Sequence, residues 1–225
     1  MNYLKGKEDY HPNRLMSRNM GINGKDKAKY MDLTEIISGV LKNRRPEVVD
    51  NSRSCYVHSS VLIPIIDENG RYSVLFTRRT NRVEHHKGQI SFPGGAVDEA
   101  DGSFEETALR EAFEEIGLLK KDVEVLGQID DELAAVSSFI IHPFAGRIPY
   151  PYDFKINIHE VDSIIVIPFH VFLDKTAQYK RDFIVVDGYP YHGTSYEYEG
   201  NIVWGATARI MENFIGIIED KIMLA

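Results

Sequence analysis

Gly94-Gly95-Ala96-Val97-Asp98, then a spacer, then Arg110-Glu111-Ala112-Phe113-Glu114-Glu115-Ile116-Gly117-Leu118: this stretch organises the chain. It reads as a Gly-Gly turn that leaves a short apolar strand and enters a helix carrying three closely spaced carboxylates. Ser103 and Glu106 form an S-x-x-E capping box, which satisfies orphan donors at the helix start. Gly117 falls just past the last periodic residue, where a left-handed C-terminal cap is expected. At about 100° per residue, Phe104, Ala108, Leu109, Ala112, Phe113 and Ile116 gather on one arc, predicted to face the core. Glu111 and Glu115 project side by side at its margin, with Glu114 a little further round. Like charges at that spacing cost about 0.2–0.5 kcal/mol on an exposed helix. A divalent cation removes the penalty, because hard cations such as Mg²⁺ take carboxylate oxygens. Taken alone, the helix also reads as a solvated acidic face.

The whole pattern, Gly-Gly followed by Arg-Glu-x-x-Glu-Glu-x-Gly-Leu, resembles the Nudix box, the phosphate- and metal-binding signature of the Nudix hydrolases. Between Gly95 and Arg110 it has one residue more than the standard box, so the mid-loop Glu position falls on Gly102. Asp98 and Asp101 are the candidate stand-ins. Upstream, Thr77, Arg79, His86, Gly88, Gln89, Phe92, Pro93, Gly94 and Gly95 match a narrower signature, that of the coenzyme A diphosphatase branch. Phe76, Thr80, Val83 and Ile90 are mild substitutions within it. The resemblance spans roughly residues 33 to 218 and implies a Nudix fold. That fold is an α/β (α+β) domain, an α/β/α sandwich around a mixed β-sheet.

The same resemblance implies the chemistry. Glu111, Glu115 and Glu114 are the expected ligands of Mg²⁺ or Mn²⁺, with a backbone carbonyl of Gly95 or Ala96 completing the shell. Arg110 orients a glutamate. Glu160, acidic and just before a buried strand, is the loop candidate for general base. The implied substrate is coenzyme A or an acyl-CoA, cleaved at its diphosphate to 4′-phosphopantetheine and adenosine 3′,5′-bisphosphate. Another nucleoside diphosphate derivative, such as ADP-ribose, is the rival. A non-catalytic nucleotide sensor is disfavoured because the box carboxylates are all present.

Arg78, Arg79, Arg82, Lys87 and two histidines lie within ten residues of an otherwise acidic chain of net charge −8. Arginine's planar fork suits phosphate oxygens. Arg79, Arg82, His86, Lys87 and Gln89, with Gly94 and Gly95, are therefore the candidate substrate contacts. The net charge argues against general nucleic-acid binding. A single cysteine, Cys55, excludes an internal disulfide and fits a reducing cytoplasm. No apolar run reaches the length of a membrane span. The oligomeric state, a homodimer included, stays open.

Along the chain, residues 1–30 are polar, basic and aperiodic, and are expected to be a mobile extension. Residues 31–225 read as one domain. A short helix is predicted over 32–41, strands over 57–66 and 72–77 joined by a turn at Asp67-Glu68-Asn69-Gly70, then strands over 123–129 and 139–148. Asp130-Asp131-Glu132 between the last two is expected near the cleft. Short strands over 156–158, 164–168 and 183–186 and an amphipathic helix over 205–218 complete the reading, with Trp204 as a core or wall residue.

Overall fold

The apolar run Val61-Leu62-Ile63-Pro64-Ile65-Ile66 has too little polar alternation for a sheet with one wet face; it suits a strand covered on both sides. In the computed structural model it is the centre of β1 (Val57–Glu68). The structure describes residues 32–51, 56–80, 88–134, 137–174, 184–186, 189–191 and 193–224. The polar extension, Cys55, Arg82, His86 and Lys87 lie outside them.

β1 runs parallel to β7 (Phe139–Ile148), in register from Val57 opposite Phe139 to Ile66 opposite Ile148. On its other side β1 changes partner. Ser59 to Val61 pair antiparallel with β4 (Gly94–Ala96), whereas Ile65 to Glu68 pair with β2 (Arg71–Arg79). Pro64 sits between these two paired segments, and a proline contributes no ladder donor. β2 continues the sheet through β3 (Ile90–Ser91) and β8 (Val161–Pro168); β5 (Glu124–Gln128) and β6 (Glu132–Ala134) flank β7. The result is a mixed sheet with a gap between β2 and β4, and the candidate site opens there.

Helices cover both faces, as the sandwich expectation requires. α1 (Leu33–Lys42) begins at Asp32, whose side chain accepts from Thr34 N at 2.7 Å. With α4 (Gly205–Leu224), it covers Ile63, Ile65, Val74 and Phe76. Ala208, Met211, Ile215 and Ile218 form the buried face of α4, as an amphipathic helix requires, and that helix runs on past 218. α2 (Phe104–Ile116) packs Ala108, Ala112 and Ile116 on Leu62, Ile66, Phe144 and Ile148 of the opposite face. A four-residue helix, α3 (His170–Leu173), follows β8, and the pairs β9 (Ile184–Val186) with β10 (Tyr189–Tyr191) and β11 (Tyr196–Tyr198) with β12 (Asn201–Val203) complete the described strands and α-helices.

Three expectations are corrected. Phe113 does not join the core; it is 51% exposed. The small residues Ala108 and Ala112 let α2 lie close on the sheet, which narrows the buried arc and leaves Phe113 beyond its edge. Residues 156–158 form no strand, because their neighbourhood caps α2: Lys155 N donates to Ile116 O and Asn157 N to Glu115 O, both at 2.9 Å. Asp130-Asp131-Glu132 does not face the cleft. Asp130 binds Arg44, Asp131 binds His142, and Glu132 accepts from Arg209 Nε at 2.6 Å.

Phe113→Ser is expected to change unfolding free energy by less than about 1 kcal/mol, whereas truncating a buried phenylalanine costs about 3–5 kcal/mol. Chemical denaturation distinguishes the two values.

Candidate functional site

The capping signals hold. Ser103 Oγ accepts from Glu106 N at 3.2 Å, and Gly117 adopts φ +70° while its N–H closes on the carbonyls of Ala112 and Phe113. The Glu106 carboxylate returns to Gly102 N at 3.0 Å, one residue before the serine. With both ends fixed, α2 presents Glu111 and Glu115 toward the gap between β2 and β4.

Arg110 ties this helix to the glycine strand. Its Nε and Nη2 donate to the two oxygens of Asp101 at 2.9 Å each, and Nη2 also donates to Ala96 O at 3.1 Å. Its Nη1 reaches Glu111 at 2.7 Å and Glu114 at 3.3 Å. Asp101, not Asp98, is thus the acidic partner supplied by the loop. The Arg110 guanidinium holds its carboxyl well below the usual carboxylate range, aided by hydrogen bonds from Asp98 N and Thr107 Oγ1. Arg110 itself is held firmly charged by Asp101 and Glu111.

Gly95 faces Glu111 directly. A Cβ there would stand 2.5 Å from both carboxylate oxygens, so a side chain would displace the carboxylate. At Gly94 a Cβ would meet the backbone of β1 at Val61. Both glycines therefore serve close approach, which is why they sit in the strand at all.

Glu115 is the deepest acidic side chain of α2, only 3% exposed. Burial pushes its pKa up to about 8; Arg79 opposes the shift, and the charges of Glu111 and Glu160 add to it. Arg79 Nη1 stands 3.9 Å from Glu115 Oε1, and Thr77 Oγ1 donates to Oε2 at 3.5 Å. Glu111 is raised as well, by burial first, with Arg110 opposing. Glu114 is half exposed. Glu160 is exposed, hydrogen-bonded to Asn157 Nδ2 at 3.2 Å, and near enough for its charge to reach both Glu111 and Glu115. Gln89 is half-buried and its carbonyl accepts from Arg79 N at 2.9 Å. The structure thus brings together Arg79, Glu111, Glu114, Glu115, Arg110, Gly94, Gly95 and Glu160. Thr77, matched in the signature without a role at the site, is brought to Glu115 because it alternates with Arg79 along β2.

The NUDIX domain model matches residues 57–184, more than half of the chain. This chain belongs to the Nudix hydrolases. It is 38% identical over 154 residues to "Uncharacterized Nudix hydrolase NudL" of Yersinia enterocolitica, covering 68% of this chain and 77% of the relative. The protein of the same name in Photorhabdus laumondii is 34% identical over 162 residues, covering 72% and 83%. Among solved structures, a MutT/nudix family protein from Enterococcus faecalis is similar with a TM-score of 0.49 at 11% identity, covering 95% of this chain and 76% of that one. As a Nudix hydrolase the chain is a phosphoanhydride hydrolase acting on nucleoside diphosphate derivatives, in a family that generally uses divalent metal ions. No described helix is long and apolar enough to cross a membrane.

The Nudix donors suit such an ion. Two carboxylates one turn apart, both pushed toward the protonated form by burial, offer hard oxygens to a cation and lack a counter-charge of their own at Glu115 beyond Arg79. Among the described residues no three His, Cys, Asp or Glu side chains are gathered as a ready-made metal cluster, so backbone or substrate oxygens would complete the shell.

In the metal-free protein the proton on Glu115 is bound more tightly in the fold than in the unfolded chain, whose ordinary value is 4.5. The associated stability is therefore complete below about pH 4.5 and declines as pH rises toward 8. Glu115→Gln removes this decline. In chelator, its unfolding free energy is expected to gain on the wild type between those pH values; added Mg²⁺ should stabilise only the wild type. Thermal melts across pH test both expectations.

Proposed function

We propose that this Nudix hydrolase cleaves the diphosphate of coenzyme A and its acyl derivatives, using Mg²⁺ or Mn²⁺ held by Glu111, Glu115 and Glu114. The observation that carries the reading is Arg79 beside the buried Glu115, next to the Gly-Gly strand. Arg79 belongs to the Thr-x-Arg half of the coenzyme A diphosphatase signature, and Glu115 to the box.

The ion, when bound, offsets phosphate charge and lowers the pKa of attacking water. The chain's own residues supply the rest. Arg110 holds Glu111 and Glu114 in place and keeps them from repelling each other. Asp101 in turn fixes Arg110. Arg79, whose buried Nε has no hydrogen-bond partner among the described residues, is suited to grip a phosphate oxygen. Gly95 keeps the approach to Glu111 open. Glu160 takes the proton from water at the rim of the site, and its exposure lets that proton leave to solvent. Arg82, His86, Lys87 and Gln89 are assigned to the remaining phosphates. The products are 4′-phosphopantetheine and adenosine 3′,5′-bisphosphate.

Glu111→Gln and Glu115→Gln are each expected to lower turnover by at least about a hundredfold in a folded protein. Arg79→Ala should mainly raise KM. Hydrolysis of coenzyme A, acetyl-CoA and ADP-ribose with Mg²⁺ or Mn²⁺, with products identified by mass spectrometry, decides the substrate. Preference for ADP-ribose would overturn the coenzyme A assignment.

A further inference from the structure

His58 and His142 are 84 residues apart in sequence, yet they meet beneath the start of α2, away from the carboxylates. His58 Nδ1 lies 2.9 Å from His142 Nε2, and His142 Nδ1 lies 2.7 Å from Asp131 Oδ1. The side chains of His142 and Asp131 are 4% and 1% exposed. At the other end, Asn51 Nδ2 stands 3.0 Å from His58 Nε2.

Only one assignment of protons satisfies every member. Asn51 Nδ2 donates to Tyr56 O at 3.1 Å and its Oδ1 accepts from Tyr56 N at 3.3 Å, so the backbone fixes which end of the amide faces His58. His58 Nε2 must then accept, and its Nδ1 must carry hydrogen and donate to His142 Nε2. His142 Nδ1 in turn donates to Asp131, whose second oxygen accepts from Val49 N at 3.0 Å. The bonds run in one direction from Asn51 to Asp131, and neither imidazole can flip without breaking the chain. An apolar filling of this volume would avoid the cost of burying polar groups, but it would not fix ring orientation in this way.

The fixed surface supports the start of α2. The Phe104 ring stacks on His142 with centroids 3.6 Å apart and planes 9° apart, and lies 5.5 Å from His58. Phe104 is the first residue of α2. Val97, at the exit of the glycine strand, donates its N–H to His58 O at 3.0 Å. Glu111 lies seven residues along the same helix, about 10 Å up its axis. A tilt at Phe104 is therefore delivered to the carboxylates.

We propose that Asp131, His142 and His58 are positioning residues that set the tilt of the glutamate helix through Phe104, a role that rests on the glutamates being the working groups. Long-range ¹⁵N–¹H NMR of the full chain should find both histidines protonated at Nδ1. Asp131→Asn, which turns an N–H₂ group against His142 Nδ1 or Val49 N, should lower kcat for a nucleoside diphosphate substrate about tenfold and leave KM nearly unchanged. Phe104→Leu should do the same, and the double variant should be no worse than the worse single one. Phe104 is half-buried, so its variant carries the kinetic test even if Asp131→Asn does not fold. An Nε2-protonated histidine in the wild type, losses that add, or a lowered Tm with kcat of the folded fraction unchanged would overturn the proposal. Absence of hydrolysis by the wild type would instead overturn the role of the glutamates, and the NMR result would still decide whether the chain of bonds is ordered as described.

Discussion

The guanidinium of Arg110 joins three parts of the chain at one point. The end of the glycine strand, the loop carrying Asp101 and the helix carrying Glu111 and Glu114 all bond to it. Its planar fork serves Asp101 through two nitrogens while the third turns back along its own helix; an ammonium group has no such geometry. Because the fork is positive, it also relieves the repulsion that two glutamates of one helix would otherwise feel. Close approach of Gly95 to Glu111 then follows, since strand and helix are held at a separation that admits no side chain between them.

Within that frame Glu115 is left in an environment unsuited to a bare carboxylate. The sheet and helix exclude water from it, and Arg79 at 3.9 Å answers its charge only in part. A group so placed weakens the metal-free fold at neutral pH. Sites that act on charge commonly carry such a cost, since groups arranged for a ligand are not arranged for the empty protein. The energetic penalty and the proposed capacity to hold a cation have the same origin, a carboxylate kept out of water.

Much of this was legible before any coordinates. The helix with both its caps and the strand over 57–66 follow from spacing and local chemistry, and the pairing of Arg110 with a glutamate from the family resemblance. What was not legible depended on distance in sequence. Phe113 obeys the helical period, but how closely α2 sits on the sheet is decided by Ala108 and Ala112 against β1 and β7. The acidic run Asp130 to Glu132 reads as part of a cleft because its partners Arg44 and Arg209 lie far along the chain and His142 comes in from β7. Nothing in the sequence pairs His58 with His142; the parallel register of β1 with β7, with His58 opposite Ile140 and Ser60 opposite His142, brings them together. The loop residue that engages Arg110 was narrowed to Asp98 or Asp101, and only the turn geometry separates them.

The connection between β7 and β8 does more than link two strands. By giving the N–H groups of Lys155 and Asn157 to the last carbonyls of α2, it ends that helix, and three residues later it delivers Glu160 to the rim of the site. Glu115 and Glu160 are thereby yoked through the main chain, whatever their side chains do. Insertions before Lys155 would lengthen a surface excursion and leave the yoke alone, whereas one added residue between Asn157 and Glu160 would throw the two acids out of step. New specificities in such a scaffold can therefore be sought in the first half of this connection, with the second half kept at constant length.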